Sequence, residues 1–423
     1  MRVLVYPHEL AIGGSQINAI DLAAAVRDLG HEAVVYAQPG PLVDYVRDEK
    51  GLRYLEAHGL RYRPAPTRIA QLARVARRER IDVIHAYEWP PCLDAFYGAH
   101  LRHGTPVVCT VLSMGFTPLI PTTVPLLMGT HELAAEVAGR WAGDVGVMEP
   151  PIDTDQDRAD RDGGTFRRRQ GIADDEQLVV TVSRLSVDLK LDALVDLIDG
   201  VALVADRHPV RLVLVGDGDA ADRLARRADA VNAAAGRDVV TLAGPMLDPR
   251  DAYAAADIVA GMGSSALRAM AHAKPVVVQG ERGFARTFDE ASAPGFFWAG
   301  FYGLGPGGSA AGDVAAALEP LLAAPALREA LGRFGRTVVE DRFSLRAAAT
   351  RMVDLYAAAL AAPPPRRSTW TQATAVGARA ARNEARLHLP AGKAQRHQAR
   401  EDKLAHAERS ITTTPVAVSS PQP

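Results

Sequence analysis

Arg184 and Lys190 stand six residues apart, one closing the apolar run QLVVTVSRL and the other opening a helical pattern at 191–205. Arginine offers a planar fork to phosphate oxygens and lysine a compact point charge, so a pair at one sheet edge suits a diphosphate. Five of the 48 basic residues are lysines, which makes a lysine at this place worth weighing; a solvated pair at a helix start is the plain alternative. A second feature is DIVAGMGSSALRAMAHAKPVVV, 257–278, which reads strand, glycine turn, helix over 264–274 and buried strand. Gly261 and Gly263 would let a ligand approach the backbone, and the first-turn N–H groups at Ser264 and Ser265 favour an anion. Leu267, Met270 and Ala271 form the inward stripe, and Ser264, Ser265, Arg268 and His272 share the other face. Arg268 leans back toward the helix start and could meet an anion docked there; the plain alternative is a carboxylate elsewhere on the protein.

These residues need elements to place them. Apolar runs at 2–6, 32–37, 81–86, 106–111, 126–130 and 144–148 read as strands, with helical patterns at 17–29, 41–58 and 67–79 among them. A second series follows, with strands near 177–185, 211–215, 238–244, 257–260 and 276–278 and helices near 191–205, 219–234, 250–256, 310–323, 326–339 and 344–361. Alternation of this kind predicts an α/β fold of doubly wound parallel sheets. The expected organisation is a domain over 1–150, a polar linker over 151–172, a second domain over 173–343, a helix over 344–362 packing back toward the first domain, and a tail over 363–423. Gly13-Gly14 and Gly216-Asp217-Gly218 repeat the strand–glycine–helix corner, and a small ligand is expected in the cleft facing the carboxyl ends of both sheets.

Composition sets the outer bounds. With 48% hydrophobic and 23% charged residues the chain reads as a soluble globular protein, without a signal peptide or membrane span. Two cysteines make neither a disulfide framework nor a zinc site, which suits a cytoplasmic setting. Asp153-Thr154-Asp155 matches a metal-binding D-x-D, but three residues carry little signal and a solvated linker is the better reading, so no metal is assigned. Between positions 366 and 409 basic side chains outnumber acidic ones, while the rest is mildly acidic. The tail lacks the apolar surface to fold alone and is expected to be largely disordered or a frayed helix. Its arginines suit peripheral contact with phospholipid headgroups at the inner face of a membrane, against the plainer reading of a solvated tail. No nucleic-acid partner is expected.

The collinear set GGSQ…LAAAVRDLGHEAVVY, DVIHAYEW, PPIDTD, VSRLSVDLKL, LVLVGDGD, VVTLAG, YAAADIV and ALRAMAHAKPVVV resembles the GT-B retaining glycosyltransferases of the family 4 type over most of residues 1–361. The resemblance implies two Rossmann-like domains facing a cleft and no permanently bound cofactor. It implies a nucleotide-diphosphate sugar as co-substrate, hexosyl transfer with retention and without a metal, and a glycan, lipid-linked or small-molecule acceptor, as in cell-envelope or polysaccharide synthesis. Arg184 and Lys190 match the pair that steadies the leaving diphosphate, Gly13 and Gly14 the loop that closes over it, and Gly216 and Gly244 turns that line the base. PPIDTD becomes the family's linker signature.

The departures are as informative. The family usually carries two glutamates eight positions apart around the glycine turn, where this chain has Ala260 and Arg268. Arginine cannot accept a hydrogen bond from a ribose hydroxyl; Glu281, just past the next strand, could take over that contact. The family's histidine near the transferred sugar is also missing, leaving Ser113 and, on the preceding strand, His85 as acceptor-side candidates. His131 is a further alternative. Two rivals stay open. Gly261-x-Gly263-x-x-Ala266 with Glu281 approximates a dinucleotide fingerprint, which would make an NAD-dependent oxidoreductase. Loss of both glutamates would suit a non-catalytic GT-B binding protein, against which stand Arg184 and Lys190, since a scaffold has no need of a diphosphate clamp.

Overall fold

In a computed structural model the protein is described over residues 1–59, 65–113, 117–362 and 366–388. It divides into two compact units. The first comprises Met1–Asp153 and the described part of Phe343–Gln395, the second Thr154–Arg342.

The first unit holds a seven-stranded parallel sheet in the order β3-β2-β1-β4-β5-β6-β7. The strands are β1 Arg2–Tyr6, β2 Glu32–Ala37, β3 Arg53–Glu56, β4 Val83–Tyr87, β5 Val107–Val111, β6 Leu126–Met128 and β7 Val145–Val147. β1, β4 and β5 are apolar through nearly their whole length because helices cover both faces, the usual condition of a parallel sheet. The helical pattern expected over 41–58 is one wide turn, Tyr45–Glu49, followed by β3. Gly51, at φ +58°, stops the coil, and Arg53–Glu56 then pairs along the sheet edge with β2. The chain re-enters this unit beside Ile152, whose N–H donates to Phe343 O at 2.8 Å. The helix Leu345–Ala361 buries Ala348, Met352 and Tyr356 in the same core as β1 and β2.

The second unit holds a six-stranded sheet, β10-β9-β8-β11-β12-β13, parallel except for its last strand. Its strands are β8 Gln177–Val182, β9 Val210–Val215, β10 Val240–Gly244, β11 Ile258–Gly261, β12 Val276–Gln279 and β13 Ala285–Thr287. The core lies between β8, β9 and the helices Leu191–Val204 and Ala311–Ala323. The polar stretch 151–172 is more than a solvated linker. Asp157 and Phe166 are buried, and Gly164–Arg169 is helical, because paired charges and one aromatic ring fasten it to the second unit.

Of the two states expected for the tail, its first part takes the helical one, and it is packed rather than frayed. Residues Arg366–His388 form a helix whose Val376 and Ala380 pack with Leu93 and Leu119 of the first unit, while Ala373 joins the neighbouring core that holds Phe96 and Ile120. Too few large apolar residues remain for independent folding, but one small-residue stripe suffices against an existing surface. The prolines at 363–365 and the basic stretch 389–423 lie outside the described residues.

Candidate functional site

In the second unit, β8 has β9 on one side and β11 on the other, so successive connections leave in opposite directions. Ligands of open α/β sheets enter at such a switch point, outside the strands' carboxyl ends. The loop leaving β8, 183–190, is fastened to the turn after β9. Leu185 N–H donates to Asp217 O at 2.9 Å, Val187 N–H to Asp219 Oδ1 at 3.0 Å, and Ala220 N–H to Leu185 O at 2.8 Å. Gly216 makes this approach possible: at φ +144°, any Cβ there would lie 1.8 Å from Ser183 O. Gly216 therefore shapes the loop that carries Arg184. Gly244, at φ +76° beside a bulge of β10, supplies the carbonyl that accepts the Gly216 N–H at 2.9 Å.

Arg184 is exposed on this loop, and Lys190, half-buried, precedes the helix Leu191–Val204. Burial pushes the Lys190 ammonium down to about 8; Arg184 adds to the shift and Glu281 opposes it. Among the described residues that ammonium enters no hydrogen bond or ion pair. A desolvated cation beside a second cation is costly unless an anion joins them. Leu189, just ahead of it, has φ +67°, a strained backbone of the kind that gathers at ligand sites.

The turn after β11 adds a helix start. Gly261 ends the strand, and Gly263, at φ +59°, caps the helix Ser264–Ala271 without any side-chain cap. Its own N–H donates to Phe301 O at 2.6 Å. Ser264 opens the helix, while the Ser265 hydroxyl is engaged by Tyr253 at 3.0 Å. Glu281 follows β12, and its Oε2 accepts the Tyr302 hydroxyl at 2.5 Å.

Arg268 does not stand ready for an anion. Its Nε and a terminal nitrogen both donate to the Asp157 carboxylate at 3.0 Å, and His272 Nε2 contacts the same group at 3.2 Å. Burial alone would raise the Asp157 carboxyl, but the His272 hydrogen bond and the Arg268 guanidinium hold it below the usual range. The position where the family pattern would place a ribose-binding glutamate thus fastens the 151–172 stretch, and the donor contact expected of Arg268 is withdrawn.

In the first unit, Gly13 is the extended cap of the helix Gly14–Asp28, and both glycines follow β1. His85 is corrected from acceptor-side candidate to core residue. It is fully buried, with Nδ1 2.7 Å from the Tyr356 hydroxyl and Nε2 2.7 Å from Thr110 Oγ1, and burial pushes its pKa down to about 3. Ser113 is exposed beyond β5 and donates from Oγ to Glu88 Oε2 at 2.8 Å.

Sequence reasoning passed over Glu88, Tyr302 and Asp157. Glu88, at φ +69° beyond β4, also accepts the N–H groups of Leu112 and Ser113 at 2.9 and 3.0 Å. An acid directly after a buried apolar run was a legible signal; its partners, set by strand order, were not.

The comparisons with known proteins bear on this arrangement. Residues 12–126 match the family model for Glycosyltransferase Family 4, and residues 176–322 match Glycosyl transferases group 1. No curated protein matches the chain in sequence. Among solved structures, a glycosyltransferase from Rickettsia africae is similar at TM-score 0.68 and 13% identity, covering 85% of this chain and 98% of its own. HepE from Anabaena, solved with UDP-glucose, gives 0.66 at 18% identity, covering 85% and 100%. WaaG, a glycosyltransferase involved in lipopolysaccharide biosynthesis, gives 0.57 at 16%, covering 84% and 99%. At such identities the structural likenesses carry the fold, and the two family matches carry the kinship. The chain belongs to the GT-B glycosyltransferases of the family 4 and group 1 type.

Proposed function

We propose that this glycosyltransferase takes its sugar from a nucleotide-diphosphate donor and transfers it with retention of anomeric configuration. The observation that carries the reading is Lys190, desolvated beside Arg184 at the switch point of the second unit's sheet. As the glycosidic bond breaks, charge grows on the leaving diphosphate. Arg184 would take it with a fork and Lys190 with a point charge, and the start of the helix Ser264–Ala271 adds unpaired backbone donors. This assigns the leaving group's charge to side chains rather than to a divalent cation. Gly216 and Gly244 are assigned to turns that line the base, Gly261 and Gly263 to the turn before that helix, and Glu281 is the acid left to accept donor hydroxyls. In the first unit, Gly13 and Gly14 are assigned to the donor phosphates and Ser113 to the acceptor.

HepE's structures with UDP and with UDP-glucose put uridine donors first in the test. No helix among the described residues is long and apolar enough to cross a membrane. The basic run from 366 to 409 supports peripheral contact with anionic headgroups, where a lipid-linked acceptor would be met.

Thermal shift against nucleotide sugars, free nucleoside diphosphates and NAD(P) tests the reading. A nucleoside diphosphate at a hundred times its Kd should add about 2.7 kcal/mol, and Arg184→Ala with Lys190→Ala should abolish the shift. Response to NADH alone would return the oxidoreductase reading, and a shift that survives the double substitution would remove the clamp.

A further inference from the structure

The run FYGLGPGGS, 301–309, lies along residues 280–284 in backbone contact too close for side chains. A Cβ on Gly280 would fall 1.9 Å from Gly303 O, and one on Gly305 would fall 2.4 Å from Arg282 O. Glu281 N–H donates to Gly303 O at 3.0 Å, Gly305 N–H to Glu281 O at 2.9 Å, and Gly307 N–H to Arg282 O at 3.0 Å. At its other end the run accepts the Gly263 N–H on Phe301 O. One glycine-rich strap therefore joins the turn after β11 to the residues after β12. Arg282, next to Glu281, is strained at φ +57°, as Leu189 is next to Lys190.

The strap delivers Tyr302 onto Glu281. Burial and then the carboxylate raise the phenol's pKa, so it remains a protonated donor throughout the working range. With Oε2 taken at 2.5 Å, the carboxylate's orientation is set, and among the described residues its Oε1 accepts no hydrogen bond. An oriented carboxylate oxygen accepts hydroxyl hydrogens and cannot donate in return. The other two positions where an acid might stand offer no acceptor: Ala260 is a buried strand residue, and Arg268 is bound to Asp157.

We propose that Glu281 and Tyr302 form a diol-reading pair, in which Glu281 accepts the vicinal hydroxyls of the bound donor and Tyr302 positions its carboxylate. The proposal rests on the diphosphate reading of Arg184 and Lys190. A nucleotide sugar carries such a diol on its ribose and another on its hexose, and the test separates the two.

The tightest binder among UDP, GDP and ADP would be titrated calorimetrically beside its 2′-deoxy counterpart, with UDP-glucose beside UDP. If the ribose is read, the wild-type protein should prefer the ribose form about tenfold, the scale of one hydrogen bond to a charged group. Glu281→Gln should bring that ratio close to one, and Tyr302→Phe should lower it while leaving the deoxy form's affinity unchanged. If the hexose is read, the ribose ratio starts near one, and it is the excess affinity of UDP-glucose over UDP that both variants remove. A purely structural role for Tyr302 would weaken all ligands alike. Ratios unchanged in both variants, with Lys190→Ala still weakening every ligand, would overturn the pair and leave the diphosphate site standing. Failure of the wild-type protein to bind any of these nucleotides would overturn both.

Discussion

Diphosphate affinity should depend on pH through Lys190, and the dependence can be worked out from its surroundings. Its pKa of about 8 leaves the side chain about nine-tenths protonated at pH 7, half at pH 8 and about one-tenth at pH 9. A bound diphosphate favours the charged form, so affinity should fall about tenfold between pH 7 and 9, or about 1.4 kcal/mol. Binding at pH 8.5 should take up about three-quarters of a proton, visible as a difference in calorimetric enthalpy between buffers of unlike ionisation heat. In Lys190→Arg the guanidinium stays charged throughout, so both effects should vanish while most affinity remains. The same shift has a stability sign. The unfolded chain, with the ordinary lysine value of 10.5, holds more protons than the folded one between pH 8 and 10.5. Stability should therefore rise through that window, and below pH 8 the buried charge costs up to about 3 kcal/mol. Lys190→Met should melt higher than wild type at pH 7 and bind no diphosphate. Wild-type affinity that stays flat from pH 7 to 9, with the protein folded, would refute the reasoning.

Arg268→Ala strands the Asp157 carboxylate, so it should cost about 2–4 kcal/mol in denaturant melts while donor affinity stays within about twofold; kept stability with lost affinity would return Arg268 to the ligand. His85→Phe leaves the Tyr356 and Thr110 hydroxyls without their shared partner, costing about 2–4 kcal/mol but not turnover per folded molecule. Because His85 stays neutral when folded, its contribution is complete above pH 6.5 and falls by about 1.4 kcal/mol per pH unit toward pH 3; urea melts at pH 5 and 7 should show that slope in wild type and its loss in the variant. Val376→Asp should detach the helix Arg366–His388, read as rapid proteolysis there with the remaining chain still protected.

Both sheets were legible because strands buried on two faces are written as unbroken apolar runs, and the corners at Gly13, Gly216 and Gly261 followed from strand–glycine–helix order. Arg184 and Lys190 were picked out by the same order, as cations at a strand's carboxyl end, and the structure sets them on the loop 183–190 and at the start of the helix after it. What stayed hidden were pairings across the chain. Arg268 meets Asp157 from 111 positions away, and Glu88 holds Ser113 from 25. Spacing along one element cannot report such partners, since they depend on which strands lie side by side. The packing of the helix Arg366–His388 was hidden for a related reason: its alanine-rich stripe is too small to mark a core, yet it fits a surface that Leu93 and Leu119 provide.

The most direct measurement is a crystal structure of the protein soaked with UDP-glucose. The diphosphate should lie within hydrogen-bonding reach of Arg184 and Lys190, outside the carboxyl end of β8. A well-ordered diphosphate seated elsewhere on the second unit, with Lys190 still untouched, would contradict the account.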